Sequence, residues 1–402
     1  MLVLFTVVTS GAVLVAQDWP QWRGPSRDGA VAAANVPSAW PASFSRAWRT
    51  DVGEGYASPI VSGGRVFVHS RTDPQEVVTA LDLATGAIVW QQRYAASFNK
   101  NSYATSMAKG PNATPLAAGG RVFTLGVTGI LTAWDAATGR QVWRQDYSSR
   151  IDTSKLFCGT AASPLLVSGA LVVQVGSDTK GGQMFALDPA TGAIRWTWTG
   201  LGPGYASPVV IDAGGTAQIV TLTEGSIVSL DPANGKQLWS APFPDDWHEN
   251  IVTPVWTGTH LVVSAQRQGT HAYVIGKTGA TQAWRNAAVT MYMSTPVTGD
   301  GLIYGLSSKQ RGQFVALDAK TGDLKWSTGG REGEHASFLL TPAHLVVLVN
   351  GGDLIVARRG SAAFVSEKRY TVAESPTWAM PVLLGRDLIV RDATGVMRLA
   401  GK

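Results

Sequence analysis

Asp82-Leu83-Ala84-Thr85-Gly86-Ala87-Ile88-Val89-Trp90 is one copy of a signature, Asp-x-x-Thr-Gly-x-x-x-Trp, that runs down the chain. It recurs as Asp135–Thr138–Gly139–Trp143, Asp188–Thr191–Gly192–Trp196 and Asp318–Thr321–Gly322–Trp326. Asn replaces Thr in Asp231–Asn234–Gly235–Trp239, and a loosened copy without the Asp is Thr278–Gly279 with Trp284. The tryptophans fall about 40–55 residues apart, the period of one four-stranded propeller blade.

The rest of each unit agrees with a blade. A Ser/Thr-Pro pair stands upstream of each Trp, at Ser58–Pro59, Thr114–Pro115, Ser163–Pro164, Ser207–Pro208, Thr253–Pro254 and Thr295–Pro296. Weaker copies at Ser337–Phe338 and Met380–Pro381 bring the starts to eight. Short β-branched and aromatic runs bounded by Gly follow each start, as strands require. In the turn, the Asp side chain can accept from backbone N–H groups while Gly supplies a left-handed conformation. Neighbouring blades splay apart, and an indole can fill the wedge, its N–H finding a backbone carbonyl of the next blade. Trp48, Trp90, Trp143, Trp196, Trp239, Trp284 and Trp326 are therefore read as structural docking residues.

The chain ends predict how the ring closes. After Met380–Pro381 there is room for three strands before Lys402, while Ser45–Thr50 reads as an orphan strand with its own Trp48. Pairing the two removes unsatisfied sheet edges. The expectation is an all-β, eight-bladed propeller over 45–402, closed by an N-terminal strand that completes the last blade. Residues 17–44 form an N-terminal extension. Blade seven, about 336–370, lacks both the Asp-Thr-Gly turn and the Trp.

The chain of 402 residues, with 45 glycines and 15% charged residues, suits one propeller with no second large domain. Its formal charge of +5 is modest and spread out. Arg358–Arg359 with Lys368–Arg369 is the nearest thing to a basic patch, which reads as a solvated face and not as a nucleic-acid site. Residues 1–16 are apolar and break sharply at Gln17-Asp18. That run is shorter than the roughly 20 residues needed to span a bilayer, so it is read as a secretory leader and the mature protein as periplasmic or extracellular, without a transmembrane anchor. The only cysteine is Cys158, so no disulfide and no N-terminal lipid-bearing Cys is expected.

The repeated signature resembles the tryptophan-docking motif of pyrroloquinoline-quinone-type propellers, a superfamily that includes quinoprotein alcohol dehydrogenases and BamB-like envelope assembly proteins. The opening Asp18-Trp19-Pro20-Gln21-Trp22-Arg23-Gly24-Pro25, with Asp28-Gly29, also resembles the leader of exported PQQ-like repeat proteins. The resemblance implies the fold more than the function, because the motif is structural. Two functions stay open. One is a monomeric binding or scaffold protein for a protein partner or small ligand, with no cofactor. The other is an oxidoreductase using the quinone with Ca²⁺. The resemblance implies that alcohol dehydrogenases set a vicinal disulfide against the quinone, which a single cysteine cannot form.

Topology says where a site would lie. The residue three places before each opening Pro, or its equivalent, should ring the channel mouth: Tyr56, Asn112, Ala161, Tyr205, Ile251, Met293, His335 and Trp378. One place earlier stand Asn250, Tyr292 and Glu334. Of these, Tyr56, Asn112, Tyr205, Asn250, Tyr292, His335 and Trp378 are the candidate ligand- or partner-binding residues. No catalytic residue is assigned. Asp245, Asp246 and Glu249 are weak candidates for a metal, with a solvated turn as the alternative. Arg331–His335 is read as an internal ion pair, and Cys158 as a small buried residue. Lys100 and Lys109, in the long insertion 95–111, could meet an anion above the channel or simply keep the loop soluble.

Overall fold

A computed structural model describes residues 18–402, apart from 102, 103, 105–107, 153–155 and 178. The leader read over 1–16 lies outside the described residues, as do Ser102, Tyr103 and Met107 of the long insertion. Among the described residues, the strands form eight four-stranded antiparallel sheets arranged as blades of a propeller. Blade 1 shows the plan: Ile60–Ser62, Arg65–Thr72, Gln75–Asp82 and Ile88–Ala95 run outward in chain order. Blades 2 to 7 repeat it over 116–146, 165–200, 209–242, 255–286, 297–327 and 336–371. The eighth sheet combines Val382–Leu384, Asp387–Arg391 and Gly395–Gly401 with Phe44–Asp51, in a register that pairs Arg46 with Leu399 and Thr50 with Val396.

Each docking tryptophan reaches across to the turn of the following blade. Trp90 Nε1 donates to the Ala136 carbonyl at 3.0 Å, Trp143 Nε1 to Pro189 at 3.0 Å and Trp196 Nε1 to Pro232 at 3.1 Å. Trp48, Trp284 and Trp326 donate likewise to Leu83, Ala319 and Gly360. The signature's parts thus act across two blades. Asp135 Oδ1 accepts from the Ala137 and Thr138 N–H groups and the Thr138 hydroxyl, which folds the turn. Gly139 has φ +74°, and a Cβ there would stand 2.6 Å from the Trp90 ring. Glycine is needed twice over, for the left-handed backbone and for the close approach of the indole.

Trp239 is the exception, and the loosened turn explains it. Gly279 has no indole against it, and Trp239 Nε1 donates instead to Gln218 Oε1 of its own blade at 2.7 Å. Gln218 Nε2 then donates to the Gly276 carbonyl of blade 5 at 3.0 Å, so the glutamine relays the link. Blade 7 lacks a Trp, and the wedge beside it is filled from the N-terminal extension. Tyr370 donates to the Pro41 carbonyl at 2.7 Å and packs edge-on against Phe44, while Trp40 meets His344 edge-on. The basic residues of this blade are largely paired: Arg358 with Glu367, Arg359 with Asp300 and Arg369 with Asp353.

The Ser/Thr-Pro starts form a hydroxyl belt around the channel. The Ser58 N–H donates to Thr114 Oγ1 at 3.1 Å, Thr114 to Ser163 at 3.0 Å and Ser163 to Ser207 at 2.9 Å. Ser207 continues to Thr253 and Thr253 to Thr295, both at 3.2 Å. The Ala336 N–H then reaches Ser294 Oγ, and the Met380 N–H returns to Ser58 Oγ, each at 2.9 Å. A hydroxyl is required because a buried inner-strand N–H must find an acceptor on the neighbouring blade. At the junction between blades 7 and 8, Thr377 serves instead, bonded to the Val349 and Asn350 carbonyls.

Trp196→Ala is expected to cost about 3–5 kcal/mol, the usual loss for a buried aromatic. The indole is 9% exposed, covers Gly235 and holds the Pro232 carbonyl. Urea melts of the variant check this; an unchanged midpoint would mean that the wedge is held by other contacts.

Candidate functional site

The segment 18–36 crosses one end of the channel and closes it. Trp19 exchanges backbone hydrogen bonds with Val61 of blade 1, and the Pro20 carbonyl accepts from Ala117 of blade 2. Arg27, 7% exposed, donates to the Ser163 and Pro164 carbonyls of blade 3. Arg23, 2% exposed, donates to Thr295 and Pro296 of blade 6 and turns back to the Arg27 and Asp28 carbonyls. Gly29 and Val31 bond Leu340 of blade 7, and the Asn35 carbonyl accepts from Gly385 of blade 8. Six blades hold this stopper. Two guanidiniums with fixed forks of donors suit it, because the inner strands present carbonyls toward the channel end.

Above the stopper lies a cavity of about 310 Å³. All eight ring positions line it: Tyr56, Asn112, Ala161, Tyr205, Ile251, Met293, His335 and Trp378. Deeper come the belt hydroxyls of Ser163, Ser207, Thr253 and Thr295, and Trp22 of the stopper forms the floor. Tyr292 and Glu249 also line it. The chain direction explains the layering, since each inner strand runs from ring residue to belt hydroxyl to the carbonyls that hold the stopper.

Asn250 behaves otherwise. It is fully buried outside the cavity lining, with Nδ2 donating to the Thr223 and Phe243 carbonyls at 2.7 and 3.0 Å. Its own carbonyl accepts from the Tyr205 and Ala206 N–H groups, so it fixes the Tyr205 backbone from behind. Glu334 is exposed and does not line the cavity.

The aromatic walls are held by their polar ends. Tyr56 Oη accepts from the Ala108 N–H and Tyr205 Oη from the Phe157 N–H, both at 2.9 Å. The Tyr292 hydroxyl donates to Glu249. Burial raises all three phenols above their ordinary values, so they are neutral hydrogen-bonding groups at pH 7. Tyr56 and His335 both pack on Trp378, with ring centroids 5.3 and 5.1 Å apart. His335 Nδ1 lies 3.0 Å from the Met293 carbonyl, and burial lowers its pKa to about 4, which leaves it neutral. Burial likewise raises the Cys158 thiol, so it is no ready nucleophile.

The acidic loop separates into distinct roles. Asp245 is buried, and its Oδ1 accepts from the Trp247 and Glu249 N–H groups as a turn cap. Asp246 pairs with Arg267 at 3.0 Å on the outside. Glu249 faces the cavity, its carboxyl pushed up by burial against the bond from Tyr292. Among the described residues no three His, Cys, Asp or Glu side chains gather as a metal site. Lys100 stands close by, with Nζ on the Ala104 carbonyl at 2.6 Å, and Lys109 pairs with Asp73.

Trp22, Phe157 and Ala104 were not legible as site residues. Their places depend on the stopper and on long insertions that carry no repeat signal.

The model of the family described as "Outer membrane protein assembly factor BamB" matches residues 10–97, 73–251 and 223–369. The chain belongs to that family. Among relatives of this BamB-family propeller, the assembly factor BamB of Yersinia pestis is 26% identical over 305 residues, covering 69% of this chain and 71% of that one. The quinohemoprotein alcohol dehydrogenase ADH-IIG of Pseudomonas putida is also 26% identical, over 70% of this chain but 41% of its own length. In structure, a europium-containing methanol dehydrogenase superposes with a TM-score of 0.69 at 14% identity, covering 94% of this chain and 90% of its own. BamB from Moraxella catarrhalis gives 0.61 at 15% identity, covering 89% and 99%. At those identities the structural likeness establishes the fold.

A calcium-bound quinone, the cofactor of the dehydrogenase branch, does not fit these walls. The quinone is a polyanion, and among the described residues the charged side chain lining the cavity is the carboxylate of Glu249. Among the described residues no Arg or Lys lines it, and Asp245 and Asp246, which could have helped hold a cation, are engaged elsewhere. No helix among the described residues is long and apolar enough to cross a membrane.

Proposed function

We propose that this chain is an exported, non-catalytic binding or scaffold propeller that engages its partner through the channel-mouth face. One observation carries the reading: the mouth cavity is blind, walled by anchored aromatic rings, and among the described residues offers neither lining cations nor a set of metal donors. Convergence of eight inner strands makes this concavity the default place for recognition. A protein partner in the cell envelope accords with the assembly-factor relatives, and the apolar run at 1–16 supports export.

Two measurements on the purified protein test it. Dye-linked dehydrogenase activity is expected to stay at background with added pyrroloquinoline quinone and Ca²⁺; turnover of an alcohol would favour the oxidoreductase reading. In envelope extracts, a photo-crosslinker at Glu334 or Asn101 on the mouth side is expected to trap a discrete partner band that the same group at Ile194, on an outer strand, does not. Equal trapping at both positions would move the binding surface elsewhere.

A further inference from the structure

We propose that the mouth cavity receives a quaternary ammonium group, seated among Tyr56, Tyr205, Tyr292 and Trp378 above Trp22 and paired with Glu249. This deepens the binding reading above and rests on the cavity being the recognition site.

The chemistry of the wall selects the ligand. The hydroxyls of Tyr56 and Tyr205 accept from the Ala108 and Phe157 N–H groups and that of Tyr292 donates to Glu249, so each ring is fixed at its polar end. Four aromatic side chains thus contribute to one wall, and the π-faces of Trp and Tyr attract a cation. Glu249 supplies a charge: Oε2 bonds Tyr292, and Oε1 accepts no hydrogen bond among the described residues. A carboxylate in an apolar wall is costly unless a cation compensates it. Burial accordingly raises its pKa, and a bound cation would bring it back down.

The same wall disfavours other guests. The belt hydroxyls of Ser163, Ser207, Thr253 and Thr295 each already accept a backbone N–H, so a primary ammonium, with three N–H donors to place, finds fewer open acceptors here than in water. A quaternary ammonium needs none. Among the described residues no cation lines the cavity to hold an anion, and Lys100 nearby is bonded to Ala104. The cavity of about 310 Å³ has ample room for a trimethylammonium head.

Isothermal titration calorimetry with four probes tests this on the intact protein: choline, its neutral isostere 3,3-dimethyl-1-butanol, n-butylammonium and benzoate. Choline is expected to bind at least about ten-fold more tightly than the isostere, since a desolvated cation–π and ion-pair site discriminates by at least that factor. Butylammonium and benzoate should bind more weakly than choline. Glu249→Gln should weaken choline about ten-fold and leave the isostere unchanged, the removed charge being the difference. Equal affinity for choline and the isostere, tighter binding of butylammonium or benzoate, or undiminished choline binding by Glu249→Gln would each overturn the assignment. Absence of choline binding would overturn it too. Partner crosslinking at the mouth is read separately, so the scaffold reading can stand while this one falls.

Discussion

Deleting residues 18–51 is expected to leave a protein that aggregates and shows no cooperative melt. The cut removes Phe44–Asp51, which pairs with Gly395–Gly401 along seven register positions. The last sheet would keep three strands and gain a long unpaired edge, a template for association with other chains. It also removes Trp48, whose indole bonds the Leu83 carbonyl at 3.1 Å and covers Gly86, and Thr50, whose hydroxyl bonds the Gly86 carbonyl at 2.7 Å. Arg49, paired with Asp392, goes with them, as do Trp40 and Phe44 from the wedge beside blade 7. A shorter deletion of 18–38 separates the two roles of the extension. It opens the channel floor but keeps the closing strand, so it should fold with a lowered melting temperature and lose the blind cavity. Size-exclusion chromatography and thermal melts read both variants, and a long deletion that melts like the parent would contradict the closure.

The contrast between the two deletions also marks what could be read in advance. Blades were legible because docking makes the same demand at every junction: a turn folded by Asp, a glycine under an indole, a hydroxyl before the inner strand. Repetition turns those local needs into a pattern, and the ring at Tyr56, Tyr205, His335 and Trp378 follows from counting back from it. The stopper obeys no period. Arg23 and Arg27 bond carbonyls at 295–296 and 163–164, partners 136 to 273 positions away that no local pattern announces. Asn250 misleads for another reason. Beside a channel ring, a polar side chain suggests a ligand, yet its amide satisfies backbone carbonyls behind the wall. Glu249, one residue earlier, is the side chain that faces the cavity, in a turn that Asp245 caps.

Glu76→Ala is expected to destabilise the protein by about 3–5 kcal/mol, the range for removing one partner from a buried charged cluster. Glu76 is fully buried in the strand Gln75–Asp82, with Arg71 and His69 from the neighbouring strand against it. Its Oε2 accepts from the Tyr94 hydroxyl, which also lies 3.0 Å from His69 Nε2, and its Oε1 accepts from the Val127 N–H at 2.9 Å. Gly126 leaves the room, since a Cβ there would stand 2.0 Å from the carboxylate. Alanine would strand Arg71 Nη1, which has no hydrogen-bond partner even in the parent, and free the Val127 N–H. Glu76→Gln keeps the shape and loses the charge, so about 1.5–3 kcal/mol is expected, the worth of a hydrogen bond to a charged group.

The pH dependence has a definite sign. Burial opposes ionisation of Glu76, but the His69 ring and the Tyr94 and Val127 hydrogen bonds outweigh it and hold the carboxyl below its ordinary 4.5. A depressed folded value gives stability that is fully present above 4.5 and is lost as the pH falls through the folded pKa. Urea melts at pH 7 and pH 3 should therefore converge for parent and Glu76→Gln; a gap undiminished at low pH would mean the charge contributes nothing. The consequence reaches the site. The Val127 carbonyl accepts from the Thr160 N–H at 2.9 Å, and Gly159 packs on Val127, so Glu76 seats the connection that brings Cys158 and Phe157 to the cavity wall. Thiol labelling of Cys158 should accordingly be faster in Glu76→Ala than in the parent under folded conditions, whereas Trp326→Ala, in blade 6, should leave that rate unchanged.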